Sequence, residues 1–146
     1  MGKRVMTFTG VSYLAVIIAA IVAWVAGAIW YMSLGKIWTS AQGFTQEQLH
    51  ADRNKPGAYL PFIYVFVAEL VMAWVLAGLI GHLGPGQVTL MNGVVSGAFC
   101  WLGFVITVLV TGNTFGKRDV RLIYIDGGHW LLVLVLMGAI IGAIGV

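Results

Sequence analysis

Four polar side chains that can bind a proton or an ion stand within or at the end of long apolar stretches of this sequence. Glu69 and His129 lie well inside such stretches, Asp126 comes three residues before His129, and Asn113 ends another. A helix places residues three apart on one face, so Asp126 and His129 should be neighbours. Ionisable groups inside a membrane mark proton and ion pathways. These four residues are therefore the candidate polar cluster.

Two interpretations of this cluster stay open. In the first, Glu69 and His129 exchange a proton along a path that opens at one membrane surface. In the second, the polar groups form a buried hydrogen-bond network that fixes the register of the helices. The sequence favours the second, because the other half of the stretches offers few polar residues, among them Asn92, Ser96 and Thr107.

Metal sites and enzymatic sites are not indicated by the spacing of the reactive residues. The three histidines, His50, His82 and His129, are far apart in the chain, and Cys100 stands alone in an apolar run. Ser96 lacks the Gly-x-Ser-Gly string of intramembrane serine proteases and falls in the opposite half of the membrane from His129. We therefore expect no enzyme, no metal and no cofactor.

The composition places the chain in a membrane. Of 146 residues, 60% are apolar and 9% are charged, whereas soluble domains carry roughly 25% charged residues. A soluble protein of this size could not bury so much apolar surface. The single cysteine excludes a disulfide-rich secreted domain, and a net charge of +3 spread along the chain gives no indication of nucleic-acid binding.

Four apolar runs are long enough to cross a bilayer, which takes about 20 residues of helix. They lie at about residues 11–34, 59–81, 88–112 and 122–144. The sequence thus predicts an all-α integral membrane protein of one domain, residues 1–146, with four transmembrane helices in an up-down-up-down bundle.

The longest connection, residues 35–58, contains one short predicted helix. Thr45 with Gln48 three residues later fits a capping box, in which each residue's side chain bonds the other's backbone N–H. We expect a surface helix over residues 46–51.

The basic residues suggest an orientation. Six of the eight Lys and Arg residues fall in loops 35–58 and 113–121. The positive-inside rule therefore places both loops in the cytoplasm and both termini outside, although Lys3 and Arg4 argue for the reverse.

Small residues recur every four positions along each predicted span, a spacing that lets helix backbones approach closely in lipid. The stripes are Ala19, Ala23 and Gly27 on the first span, Ala73 and Ala77 on the second, Gly93 and Gly97 on the third, and Gly138 and Gly142 on the fourth. They can pack the four helices against one another, or a surplus stripe can join two copies of the chain.

Aromatic residues gather at the end of the first span. Trp30, Tyr31 and Trp38 are typical of the interfacial belt that anchors helices at the headgroup level. Tyr124 and Trp130 flank the candidate cluster and could contribute to it.

Several local strings carry a family resemblance over nearly the whole chain. They are Gly27-Ala28-Ile29-Trp30-Tyr31, Gly35-Lys36-Ile37-Trp38, Asn113-x-Phe115, Ile125-Asp126-Gly127-Gly128-His129-Trp130 and Met137-Gly138-Ala139-Ile140. On these strings the sequence resembles the bacterial membrane family catalogued as domain of unknown function 1761. The chain departs from the family at Met32-Ser33, where a proline is more usual, and at His129, where an aromatic residue such as tyrosine is. The resemblance implies a small four-span protein without an established activity.

We therefore expect a multi-pass protein of the bacterial inner (plasma) membrane whose first partner is the lipid bilayer. The first functional hypothesis is a non-catalytic subunit that self-associates or docks on a larger membrane complex through its small-residue faces. The alternative is a small solute or proton-coupled transporter or channel that uses the candidate polar cluster. The two hypotheses differ in what a Glu69→Gln variant should lose.

Overall fold

The computed structural model describes residues 10–146, which form helices and connecting turns without a strand. The helices are α1 Tyr13–Gln42, α2 Gln46–Arg53, α3 Leu60–Gly81, α4 Leu90–Cys100, a π-helical segment Trp101–Val105, α5 Ile106–Phe115 and α6 Arg121–Ile144. The stretch from Leu90 to Phe115 is continuous and forms the third span. In the described part of the chain, four helices are long and apolar enough to cross a membrane. The chain is an all-α membrane protein, as predicted; Lys3 and Arg4 lie outside the described residues.

Helix α1 is longer than its predicted span. It begins after Ser12, whose Oγ accepts a hydrogen bond from the Ala15 N–H, and it ends at Gly43 with φ 79°. Its 30 residues reach about 45 Å, whereas the hydrocarbon core is about 30 Å thick. Because Gly35 stays helical and no proline occurs before Gly43, the helix continues eight residues past the predicted end at Leu34. This extension carries Trp38 to the level of the polar site described below.

The short surface helix is present as α2, and its capping box is confirmed. The Gln48 N–H donates to Thr45 Oγ1 at 3.2 Å, and the Thr45 N–H donates to Gln48 Oε1 at 2.9 Å. No residue of α2 is buried, so the helix lies on the surface.

Helix α6 is the centre of the bundle, since it packs against α1 on one side and against the third span on the other. Both neighbours run antiparallel to it. In α1, Gly27 contacts His129 and the later Tyr31 contacts the earlier Asp126; in the third span, Gly93 contacts Gly138 and the later Gly97 contacts the earlier Leu134. The core consists of apolar residues from three helices, among them Ala15, Ala19, Ala23, Ala73, Leu76, Ala77, Ile80, Val133, Met137 and Ile141. We call the end of the bundle with connections 43–59 and 116–120 the basic end.

All the predicted small-residue stripes lie inside the bundle. Ala19 and Ala23 of α1 and Ala73 and Ala77 of α3 are buried, and Gly27 of α1 is buried against His129 of α6.

In the third span, Gly93 and Gly97 meet the backbone of α6 around Gly138 and Leu134. A Cβ atom added at Gly93 would overlap the carbonyl oxygen of Gly138, and one at Gly97 would overlap that of Leu134. Gly142 meets Thr89 in the same way. The two helices therefore touch backbone to backbone.

Candidate functional site

The carboxyl group of Asp126 accepts two hydrogen bonds from aromatic side chains of α1. The Tyr31 hydroxyl donates to Asp126 Oδ1 at 2.7 Å, and the Trp38 indole N–H donates to the same oxygen at 2.9 Å. Tyr31 and Trp38 are seven residues apart, two helical turns on one face, and their rings meet edge to face at 5.5 Å. Both donors are neutral, so they orient the carboxylate without cancelling its charge.

Asp126 has no ion-pair partner in the described chain. The ion pairs among residues 10–146 are Lys55 with Asp52 and Arg121 with Asp119. The hydrogen bonds from the Arg121 side chain and backbone hold the pKa of Asp119, which lies between the third span and α6, below its usual range.

His129 lies one turn deeper than Asp126 on the same helix face and is 4% exposed. Its ring fits beside Gly27 of α1, where an added Cβ would lie 2.7 Å from His129 Nε2. The ring also contacts Tyr31 at 4.8 Å and Trp130 at 4.7 Å between centroids. Its Nδ1 atom is buried and has no hydrogen-bond partner within residues 10–146.

Two tryptophans donate to backbone carbonyls of α6 on either side of Asp126. The Trp30 indole donates to the Ile125 carbonyl at 3.1 Å, and the Trp101 indole donates to the Gly127 carbonyl at 2.8 Å. Gly128 makes room for the first ring, since an added Cβ would lie 2.8 Å from Trp30 Cζ2. The segment Ile125–Trp130 of α6 is thus hydrogen-bonded both to α1 and to the third span.

Trp101 begins the π-helical segment of the third span. A π turn widens the helix by about one residue and so changes which face the following residues present. Such turns are frequent at functional sites, and this one lies where the third span meets α6 at Gly127. Sequence analysis did not predict it, since Trp101–Val105 reads as an unbroken apolar run.

Glu69 does not lie beside Asp126 and His129. The Trp24 ring contacts the Phe66 ring at 6.2 Å, which sets the level of α3 against α1. Glu69 is one turn past Phe66, toward the end of the bundle that lies away from His129 and Gly27. This puts about 10 Å between Glu69 and His129 along the helix axes. Glu69 is 1% exposed, and its Oε2 atom has no partner in the described residues.

Asn113 lies at the basic end, 3% exposed, where its carbonyl accepts a hydrogen bond from the Arg118 N–H at 3.0 Å. Its Nδ2 atom is buried without a partner among residues 10–146. The four predicted polar residues are therefore spread along the bundle axis. Asp126 and His129 form a pair, while Glu69 and Asn113 stand apart from it.

The aromatic residues divide between the site and the surface. The predicted interface aromatics Trp30, Tyr31 and Trp38 are each half-buried and all bond to α6. Tyr124 is 74% exposed and takes no part in the site. The contact of Tyr31 and Trp38 with Asp126 was not predicted from the sequence. The seven-residue spacing of the two rings was the available signal, because it places them on one helix face.

Comparison with known proteins gives one assignment. Neither a curated protein nor a solved structure matches the chain significantly. A family model described as "Protein of unknown function (DUF1761)" matches residues 14–142, which include all four spans almost completely and the whole site. The chain belongs to this family.

Proposed function

We propose that the chain is a non-catalytic membrane subunit that assembles with a second copy of itself through the third span. One observation carries this proposal. In the most apolar 18 residues of each span, 11% are buried in the third span, against 33% in α1, 33% in α3 and 44% in α6. The third span thus uses one narrow side against α6 and leaves its other sides outward.

The outward side carries small residues at helical spacing. Gly103, Thr107 and Thr111 follow one another every four residues and are exposed. A Cβ atom added at Gly103 would meet nothing within 4 Å. A helix face built from such residues lets a second backbone approach closely in lipid.

The threonine hydroxyls on this side are already bonded within the helix. Thr107 Oγ1 donates to the Gly103 carbonyl and Thr111 Oγ1 to the Thr107 carbonyl, both at 2.9 Å. The surface therefore presents methyl groups and backbone without an unsatisfied donor. The stripes identified from sequence are used within the bundle, so this different side of the third span supports self-association.

The test is the mass of the protein by native mass spectrometry in a mild detergent. We expect a discrete homo-oligomer that Gly103→Leu converts to monomer, because the leucine side chain holds the facing backbones apart. Gly112→Leu is the matched control: Gly112 is in the same span, also has no neighbour within 4 Å, and points to another side. A monomeric wild-type protein would refute the proposal; one bound to a different protein would indicate docking on a larger complex.

A second candidate function, a path for protons, is supported by a separate observation. Three buried polar atoms, Glu69 Oε2, Asn113 Nδ2 and His129 Nδ1, have no partner among residues 10–146. A network that served to fix helix register should satisfy its members, since each buried unsatisfied group costs about 1–3 kcal/mol. Ionisable groups kept in the membrane at such a cost are typical of proton relays.

Proton flux into proteoliposomes tests this candidate. The vesicles contain a pH-sensitive dye, and a potassium gradient with valinomycin drives the flux. We expect wild-type protein to acidify the vesicles faster than empty ones and Glu69→Gln to abolish the difference while assembling normally. Tyr124→Phe, a change at an exposed residue outside the site, is the control and should conduct like wild type. Equal flux in wild-type and empty vesicles would refute a proton path.

A further inference from the structure

The two oxygens of the Asp126 carboxyl group differ in their surroundings. Tyr31 and Trp38 both donate to Oδ1, whereas Oδ2 has no hydrogen-bond partner in the part of the chain from residue 10 onward. Asp126 is half-buried, and Oδ2 is not among the fully buried polar atoms without a partner. One carboxylate oxygen is therefore fixed in place, and the other has no partner and is not fully buried.

The side chains around the carboxyl group are aromatic. Tyr31 and Trp38 donate to Oδ1 through atoms at the edges of their rings, and His129 lies one turn deeper against the Tyr31 ring. Lys36 belongs to the same helix as Tyr31 and Trp38, but its position on the helix points away from them and it is exposed.

A charge at the membrane boundary is stable when an opposite charge neutralises it. No lysine, arginine or histidine within residues 10–146 lies within ion-pair distance of Asp126. The neutral donors hold the carboxylate in position but leave its charge uncompensated. The site therefore suits a cation that comes from outside the chain.

We propose that Asp126, Tyr31 and Trp38 bind a small protonated amine. Its N–H groups donate to Asp126 Oδ2, and its positive charge neutralises the carboxylate that Tyr31 and Trp38 hold in place. Calcium and magnesium ions suit the site less, because they require about six oxygen ligands, and no group of three acidic, histidine or cysteine side chains that could hold a metal occurs in the described chain.

This inference extends the second candidate function by naming a substrate class, but its test measures binding alone. Purified protein in nanodiscs is titrated with methylammonium chloride, and the summed fluorescence of the six tryptophans, which include Trp38, is recorded. We expect a saturable change that sodium chloride at equal ionic strength does not produce. Absence of a saturable change, or the same change with sodium chloride, would overturn the proposal.

Two variants locate the binding. Asp126→Asn keeps an oxygen that can accept from Tyr31 and Trp38 but removes the charge, and we expect about 10- to 100-fold weaker binding. The matched control Asp119→Asn removes a nearby carboxylate that is already paired with Arg121, and it should bind like wild type. Equal affinity in Asp126→Asn and wild type would place the amine elsewhere and overturn the assignment.

A measurement on the wild-type protein covers the case in which Asp126→Asn fails to fold. A carbodiimide modifies accessible carboxyl groups, and mass spectrometry quantifies the modification at Asp126. Trimethylammonium, which keeps the positive charge and one N–H but forms no stable amide with the activated carboxyl group, should slow this modification and sodium should not; equal rates would contradict the proposal. A protein that binds methylammonium but conducts no protons would refute the proton path and leave the amine site standing.

Discussion

Replacing Gly97 by alanine should separate the third span from α6. A Cβ atom at this position would overlap the Leu134 carbonyl oxygen, lie 2.8 Å from the carbonyl carbon and lie 3.3 Å from the Val135 nitrogen. Ordinary contact begins near 3.4 Å, and the carbonyl oxygen is the nearest atom, so the helices must move apart by about 1 Å at this point. The obstacle is backbone and cannot rotate away.

The expected cost follows from two opposed effects. Overpacking of a close contact costs about 1–3 kcal/mol, and alanine regains up to about 1 kcal/mol because it favours helix over glycine. We therefore expect Gly97→Ala to lower the free energy of unfolding by up to about 3 kcal/mol. Titration with SDS, followed by circular dichroism, measures this difference in detergent micelles.

Gly112→Ala is the control, because it makes the same chemical change in the same span at a glycine with nothing within 4 Å. Helix propensity is then the main effect, and the variant should be as stable as wild type or up to about 1 kcal/mol more stable. If Gly97→Ala matched Gly112→Ala in stability, the backbone contact between the third span and α6 would not be close, and the reasoning would fail.

Three further outcomes follow from single contacts. Asp126→Leu leaves the Tyr31 hydroxyl and the Trp38 indole without their acceptor and should lower the free energy of unfolding by about 1–3 kcal/mol, more than Asp126→Asn, in the same titration. Trp101→Phe removes one N–H donor to an α6 carbonyl and should cost about 1 kcal/mol, with faster amide hydrogen exchange in that turn of α6. Thr45→Ala removes the N-cap of α2 and should increase hydrogen exchange in this surface helix while the stability of the bundle is unchanged.

Local features of this protein could be predicted from the sequence because their causes are local. The length of an apolar run determines whether it can cross a bilayer, so four spans followed from the positions of the charged residues. The capping box at Thr45 and Gln48 followed from two residues three apart. The end of α1 could not be predicted from the length of its apolar run, because a helix continues into water until a residue such as Gly43 ends it.

The partners of the polar residues could not be predicted, because they depend on which helix faces meet. Helical spacing places Asp126 and His129 on one face, but it does not say which side chains of another helix face them. The sequence suggested that Glu69 belongs to the same cluster, because its depth in the membrane was counted from the end of its own helix. Such a count does not include how far one helix is displaced along another. The contact of Trp24 with Phe66 indicates how α3 is displaced along α1. This displacement separates Glu69 from His129 by about 10 Å along the helix axes.

By itself, the sequence determined the fold class, the number of spans and the residues small enough to pack in lipid, since these follow from hydrophobicity and side-chain size. The tertiary structure decided that Tyr31 and Trp38 bond Asp126 across 95 and 88 residues of chain, and that the outward small-residue side belongs to the third span. The physical reason is that every helix has several faces of similar apolar character. Which of them becomes an interface is decided by the simultaneous packing of all four spans.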